Sequence, residues 1–325
     1  MKYSMLFIYF LSQFFLLQCH AQKNPIELGK IQWHRNLQKA QAEATSKKKP
    51  ILILFQEVPG CGTCKNYGTN VLSHPLLKEA IETYFIPLCI YNNTKGTDQE
   101  ALTYFKEPSW NNPVVRIVNH ELKDIVTRIN GDYTAYGLIS GIIATMQKNK
   151  LKIPEYLLLL EKEYKAKALG TETATVGMYC FWSGEKTYGK LDGVISTKAG
   201  FMGKSEVVEI TYSPNQISLT DLITEGKKSN CADRIFSNDA TIKNIETKPL
   251  SKFTADKESK YYLYNTEYKT IPMTSLQASK ANLLLAEGKS IDHIFSPRQI
   301  EFFNKAKLTK NIVNRIDNDI VGFDF

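Results

Sequence analysis

Residues 50–64 read PILILFQEVPGCGTC. The apolar and partly β-branched run at residues 50–55 predicts a buried strand. Cys61 and Cys64 follow it at C-x-x-C spacing. At a strand-to-helix turn, helix amides stabilise the thiolate of the first cysteine, and the second is near enough to form a disulfide with it. We therefore predict a redox-active pair in which Cys61 attacks and Cys64 resolves.

A zinc half-site is the alternative interpretation of this pair. Zinc-finger-type sites add a second C-x-x-C or two closely spaced histidines, and the sequence contains neither. Six cysteines in 325 residues are too few for a disulfide scaffold. Cys89, inside a predicted strand, is interpreted as a small buried hydrophobe. We expect no metal and no cofactor.

The first residues predict export. An apolar run, LFIYFLSQFFLL at residues 6–17, follows Lys2 and ends shortly before Ala21. This pattern is typical of a secretory signal peptide over residues 1–21, which places the protein in the periplasm or outside the cell. A lipid anchor on Cys19 is disfavoured, because Gln18 stands where such signals carry a small residue. Later apolar stretches are too short to span a bilayer, so we expect no stable membrane span.

Charge and length limit the remaining function classes. The formal net charge of +8 comes mostly from scattered lysines, for example at residues 47–49. It forms no basic stripe with interleaved aromatic residues, so nucleic acid is not an expected partner. The roughly 300 residues after the leader suit two domains of about 120 to 170 residues each.

The first half resembles the thioredoxin superfamily over about residues 26–148. The redox pair follows an early strand, and Pro113 opens a later one. The resemblance implies that Pro113 is a cis-proline beside Cys61, where it shapes a groove for an extended substrate. Pro59 and Gly60 stand before Cys61, where thioredoxins often carry tryptophan. The elements predicted after the pair are strands at 84–91, 112–118 and 125–129 and helices at 100–105 and 136–147.

The second half predicts an α+β fold. A charged helix at residues 157–168 ends near Gly170 and joins the two halves. Beyond it, Cys180 lies at the turn between a predicted strand and a predicted helix. The order strand, helix, strand, strand, helix is a split β-α-β pattern with helices on one face of the sheet. These elements are predicted at residues 173–179, 181–190, 194–201, 206–212 and 219–228.

Three ordered blocks carry a second resemblance: CFW at 180–182, DGVISTKAGFMG at 192–203 and EVVEITYSPNQISLTDLI at 206–223. Over about residues 173–240 the chain is similar to peptide methionine sulfoxide reductases of the A type. The resemblance implies that Cys180 attacks the sulfoxide sulfur and becomes a sulfenic acid. Phe181 and Trp182 would bind the substrate methyl group, and Glu206 would hydrogen-bond the sulfoxide oxygen.

The chain departs from that family at several positions. Tyr179 and Ser183 replace the glycines that usually flank CFW. The long loop before the Glu206 strand, which carries an oxygen-binding tyrosine, is missing. Tyr179, Tyr261 or Tyr262 are candidates to take its role.

The thiol that resolves Cys180 is left open. Cys231 follows a lysine-rich helix end in a polar, turn-like stretch. It either attacks the Cys180 sulfenic acid to form a disulfide that Cys61 reduces, or it is incidental and Cys61 resolves Cys180 directly.

The predicted organisation is a thioredoxin-like electron donor fused to its acceptor. Partners would be oxidised methionine-containing peptides or proteins and an upstream envelope thiol reductant. One alternative is a thiol-disulfide reductase or isomerase whose degenerate second domain only binds substrate, and another is a non-catalytic interaction protein. The predicted parts are a signal peptide (1–21), a thioredoxin-like domain (22–150), a helical linker (151–170), a reductase-like domain (171–254) and a C-terminal helical extension (255–325).

Overall fold

The structure is a computed structural model that describes residues 24–230, 232–239, 241–243, 245–323 and 325. Within these residues the chain forms two β-sheets, of four and six strands. No helix in the described ranges is long and apolar enough to cross a membrane. The predicted leader with Cys19, and also Cys231, lie outside the described residues.

The first sheet is built around β1 (Ile51–Gln56). It pairs in parallel with β2 (Ile86–Tyr91) and antiparallel with β3 (Val114–Val118), and β3 pairs with the short β4 (Ile129–Asn130). The predicted strand at 125–129 is wrong over most of its length. Residues 125–128 form no strand, and the chain returns to β3 just before them through a single bridge between Asp124 and Val118. Only the end of the predicted strand therefore extends the sheet.

The continuous apolar run of β1 is explained by two cores, one on each face of the sheet. Leu52 and Leu54 belong to one cluster, and Ile51, Ile53 and Phe55 belong to the other. Alternate side chains of a strand point to opposite faces, so a strand covered on both sides must be apolar throughout. The covering helices are α1 (Leu37–Lys47), α2 (Gly62–Tyr67), α3 (Pro75–Tyr84), α4 (Thr97–Phe105) and α5 (Ala135–Lys148).

The second sheet follows α6 (Glu155–Leu169) and has the strand order β10-β6-β7-β5-β8-β9. Its pairs are antiparallel except for β8 and β9, which are parallel. The three strands predicted from sequence form its centre, and the outer three were not predicted. The strands are β5 (Glu172–Met178), β6 (Val194–Met202), β7 (Ser205–Tyr212), β8 (Ala232–Phe236), β9 (Glu246–Lys248) and β10 (Phe253–Ala255).

Helices pack on this sheet and connect it to the first one. Phe181 and Tyr188 of the helix after β5 belong to one buried cluster with Val176 and Val208 of the strands. Tyr261 begins a short helix. The helices are α7 (Phe181–Gly189), α8 (Leu219–Lys228), α9 (Tyr261–Tyr264), α10 (Ser275–Ala286) and α11 (Pro297–Leu308).

The C-terminal helices contact both halves of the molecule. Helix α10 packs on α6, α7 and β6. At the start of α11, the Arg298 amide donates to Glu79 Oε1 at 3.0 Å, and the Arg298 guanidinium binds Glu82 at 2.7 Å. Glu79 and Glu82 both lie on α3, so these bonds attach α11 to the first half. The predicted domain limits stay predictions.

Candidate active sites

The first candidate site is the dithiol at the start of α2. Cys61 is the N-terminal cap of the helix and is exposed, whereas Cys64 lies in the first turn and is buried. Their sulfur atoms are 3.6 Å apart. One helical turn therefore brings the two thiols together, as the C-x-x-C spacing predicts.

The pKa values of the two thiols are shifted in opposite directions. A hydrogen bond from the Cys64 backbone amide, supported by the Cys64 side chain and by Thr63, holds the pKa of Cys61 below its ordinary value. Burial, together with the adjacent Cys61 sulfur, raises the pKa of Cys64 to about 11. The Cys64 thiol donates to Asn112 Oδ1 at 2.7 Å. At neutral pH Cys61 is thus the available nucleophile, and Cys64 stays protonated.

The loop before Cys61 is fixed by contacts that the sequence did not signal. The buried Glu27 accepts a hydrogen bond from the Gly60 amide at 2.8 Å through Oε1. Gln56 Nε2 donates to the Glu27 carbonyl at 2.7 Å and to the Cys64 carbonyl at 3.2 Å. Glu27 lies far before the dithiol in the chain, which is why no local pattern could identify it.

Gly60 explains why no bulky residue precedes Cys61. A Cβ at this position would lie 2.4 Å from the Glu57 carbonyl oxygen and 2.6 Å from Cys64 Cβ. Those distances are well inside van der Waals contact, so a side chain would force the loop apart. The Asn112–Pro113 peptide is cis, as the thioredoxin resemblance implies. Its part in substrate binding stays a prediction.

In the described part of the chain, one set of side chains could hold a metal ion. Ligand atoms of Glu57, Cys61 and Cys64 all lie within 4.8 Å of one another. Structural zinc sites use four protein ligands in tetrahedral geometry, with cysteine and histidine the most frequent. This set has three, and two of them are the redox pair.

The second candidate site lies at the junction of β5 and α7. Cys180 caps α7 at its N-terminus and is half-buried. Strand β7 is the neighbour of β5 in the sheet, which brings Glu206 to the start of the helix. Glu206 Oε2 accepts a hydrogen bond from the Phe181 amide at 3.1 Å. A carboxylate is therefore bound to the amide directly after the cysteine, where the helix dipole favours negative charge.

Aromatic rings form one side of this site. The buried Phe181 ring packs edge-on against Phe201 at 5.3 Å and lies 5.5 Å from Trp182. Trp182 stacks on Tyr261, with centroids 4.0 Å apart and an interplanar angle of 24°. The Trp182 indole N–H donates to Asp256 Oδ2 at 3.2 Å. Sequence reasoning missed Asp256 and named Tyr261 only among several candidates.

The other candidate residues are placed as follows. Tyr179 is 90% exposed, and Tyr262 packs edge-on against Tyr261 at 5.6 Å. Cys89 is fully buried in β2, and burial raises its pKa, which agrees with an inert core thiol. The structure thus groups Cys61 and Cys64 beside Pro113 and separately groups Cys180 with Phe181, Trp182 and Glu206. Their catalytic roles stay predictions.

Comparison with known families identifies the first half. Residues 32–120 match a family model described as thioredoxin-like. This part of the chain is thioredoxin-like. A solved structure titled DsbH oxidoreductase covers 40% of this chain and 92% of its own length, at 18% identity and a TM-score of 0.32.

The chain also matches curated reductases over part of its length. The protein named peptide methionine sulfoxide reductase MsrA from Methanococcus maripaludis strain C5 is 44% identical over 70 residues, and the match covers 16% of this chain and 45% of the relative. The protein of the same name from Corynebacterium efficiens is 31% identical over 78 residues, and the match covers 19% of this chain and 36% of the relative. The chain therefore spans less than half the length of these relatives.

Proposed function

We propose that the protein reduces methionine sulfoxide in peptides or proteins at Cys180, with electrons from the dithiol of Cys61 and Cys64. One observation carries the proposal. A half-buried cysteine at a helix N-terminus lies beside a carboxylate and an aromatic pair, in a chain partly similar to proteins named as methionine sulfoxide reductases. The thioredoxin-like half supports the role of electron donor.

In the first step the Cys180 thiolate attacks the sulfoxide sulfur. Glu206 supplies a proton to the sulfoxide oxygen, which is transferred to the cysteine sulfur. Reduced methionine leaves, and Cys180 becomes a sulfenic acid. The cysteine sulfur loses the two electrons that the methionine sulfur gains.

A thiolate then attacks the sulfenic sulfur and expels water, so that a disulfide forms with Cys180. If Cys231 is the resolving thiol, Cys61 next attacks the Cys180–Cys231 disulfide. If Cys61 is the resolving thiol, it forms a mixed disulfide with Cys180 directly. In both routes Cys64 loses its proton and attacks Cys61, which releases the partner thiol and leaves the Cys61–Cys64 disulfide. An upstream thiol reductant restores the dithiol.

Fusion of donor and acceptor suits an exported enzyme. Linking two sites in one chain raises their effective concentration to roughly millimolar. In the periplasm or outside the cell, cytosolic thioredoxin is not available as a donor. Repair of oxidised envelope proteins, with an envelope thiol reductant upstream, is the role we propose.

The test is an assay of the purified protein with free and peptide-bound methionine sulfoxide and with dithiothreitol as reductant. Mass spectrometry measures the loss of one oxygen from the substrate. We expect this loss with the wild type and none with Cys180→Ser. Glu209→Gln, three residues beyond Glu206 on β7, is the matched control and should retain activity. Equal activity of Cys180→Ser and wild type would refute the proposal.

A second candidate function is reduction or isomerisation of disulfides in polypeptides. Trp110 is 80% exposed and precedes Asn112, which contacts Cys64. An exposed indole beside the dithiol could bind apolar segments of an unfolded chain. Insulin reduction tests this function. If insulin is reduced and no sulfoxide substrate is, disulfide reduction is supported as the function and sulfoxide reduction is not.

The choice of resolving thiol is tested by Cys231→Ser. If Cys231 is the relay, this variant should complete a single reduction but lose repeated turnover with the dithiol as donor. Unchanged steady-state turnover would assign the resolving role to Cys61. Quenched-flow analysis of one turnover against many separates the two routes.

A further inference from the structure

We infer that Asp256 and Tyr261 are positioning residues that hold the Trp182 indole as a wall of the second site. The identity of the ligand, a methyl sulfoxide group, rests on the proposed function. That Trp182 is held in place rests only on the contacts seen in the structure. Both residues come from the segment after β10, within the predicted C-terminal helical extension.

The edge strand β10 brings this segment to the site. Phe253, Thr254 and Ala255 pair with the last three residues of β6, and the Asp256 amide continues the ladder to the Ala199 carbonyl at 2.9 Å. The pairing depends on Gly200. A Cβ there would lie 2.5 Å from both the Phe253 ring and the Thr254 carbonyl oxygen.

Asp256 then fixes the edge of the indole. Its Oδ2 accepts from Trp182 Nε1 at 3.2 Å and from the Glu258 amide at 3.3 Å. The second bond closes a turn at Asp256, so the carboxylate is itself restrained. A hydrogen bond to an ionised acceptor is stronger than a neutral one, and it determines which way the indole N–H points.

A second set of hydrogen bonds, to Glu185 on α7, places Tyr261 at the site. Glu185, buried on α7, accepts from the Lys260 amide at 2.6 Å and from Ser259 Oγ at 3.1 Å. Glu185 and Trp182 are three residues apart and therefore lie on the same face of α7. The bond to Lys260 thus places the next residue, Tyr261, over the Trp182 ring at 4.0 Å.

An indole held at its edge and over one face cannot change rotamer without breaking both contacts. Its ring therefore stays beside Phe181, which directly follows Cys180. Asp256 and Tyr261 both contact the Trp182 ring. Loss of either contact should therefore weaken the binding of a methyl group between these rings more than it slows attack by the Cys180 sulfur. The expected signature is a raised KM with a nearly unchanged kcat.

The kinetic test uses paired variants of the full chain. Tyr261→Ala should raise KM for a peptide sulfoxide about threefold to tenfold, the range expected for an aromatic stack. Tyr261→Phe keeps the ring and should restore the wild-type KM. Asp256→Ala should raise KM about fivefold, whereas Lys257→Ala, exposed in the same turn, should not. A KM unchanged in both alanine variants overturns the inference.

A spectroscopic test is independent of activity. The chain has 3 tryptophans, so 5-fluorotryptophan labelling gives a fluorine NMR spectrum in which Trp182→Phe assigns the Trp182 signal. Tyr261→Ala and Asp256→Ala should shift that signal alone. If it does not move, Asp256 and Tyr261 do not fix the indole. If it moves but the wild type reduces no sulfoxide, the proposed function fails and the positioning of Trp182 stands.

Discussion

The two cysteine sites share one local plan and differ in what surrounds the sulfur. Cys61 and Cys180 each cap a helix that follows a strand. At Cys61, a backbone amide of the first turn and a second thiol face the sulfur. At Cys180, the first helix amide is bound to Glu206 instead. The same strand-to-helix turn therefore presents a thiol partner in one site and a carboxylate in the other.

This difference separates the chemistry that each site supports. Two sulfurs that lie 3.6 Å apart and whose pKa values are shifted in opposite directions suit reversible disulfide exchange. That reaction needs one nucleophile and one leaving thiol. A cysteine beside a carboxylate and aromatic rings suits attack on a small polar group that needs a proton. Mutations that affect one site and spare the other therefore give the most direct tests.

The largest expected effect is a complete separation of activities. Cys180→Ser should abolish sulfoxide reduction, because it removes the nucleophile, and should leave insulin reduction by the first site largely intact. Cys61→Ser should do the reverse when dithiothreitol is the reductant. Both activities are followed on the same preparations.

Loss of both activities in Cys180→Ser, with an unchanged circular dichroism spectrum, would mean that the two sites do not work independently. It would also contradict the predicted division of the chain near residues 151–170.

The next effect is the difference in reactivity within the dithiol. A lowered pKa for Cys61 means that its thiolate is present at lower pH than for an ordinary cysteine, whereas Cys64, with a pKa of about 11, stays protonated. At pH 7 iodoacetamide should therefore modify Cys61 more than about a hundredfold faster than Cys64. Peptide mapping of the reduced protein measures both rates, with unfolded protein as the reference. Equal rates in the folded protein would contradict this account.

Glu206→Gln should cause a loss of about a hundredfold in kcat/KM for sulfoxide reduction, the usual effect of removing a general acid. Glutamine still accepts the Phe181 hydrogen bond through its amide oxygen, so the helix start is preserved and only the proton is lost. Insulin reduction should not change. A loss of similar size in Glu209→Gln would show that the effect is not specific to the site.

The sequence predicted the parts of each site that lie close together in the chain. Spacing alone indicated Cys61 and Cys64, and the strand-to-helix turn indicated Cys180. The supporting residues Glu27 and Asp256 were not identified, and Tyr261 was named only among several candidates, because all three come from distant segments of the chain and lie in no periodic pattern. Hydrogen bonds between distant segments depend on how strands pair at the sheet edge, which local propensity does not determine.

The same limit applies to the fold. The central strands have strong apolar patterns and were predicted within a few residues. The outer strands β8, β9 and β10 are short and mostly exposed or half-buried, so their sequences resemble loops. Helix α3, which begins at Pro75, was overlooked although proline at the first helical position is a common start signal.

The smallest expected effect concerns a buried histidine of the first half at its contact with α6. His74 on the first half is fully buried, packs edge-on against Tyr164 of α6 at 5.6 Å and, among the described residues, has no hydrogen-bond partner for either ring nitrogen. Burial, with Lys167 nearby and despite Asp319, lowers its pKa to about 3 from 6.5.

Between these two values the unfolded chain binds a proton that the folded protein does not, so the free energy of unfolding falls as the pH drops. From pH 7 to pH 5 this one group should lower the free energy of unfolding by about 2 kcal/mol. Urea unfolding at both pH values measures this change. In His74→Leu the free energy of unfolding should fall by about 2 kcal/mol less than in the wild type, whereas the exposed control His120→Ala should behave like the wild type. If the wild type and His74→Leu lose the same stability on acidification, His74 is not held neutral at this contact.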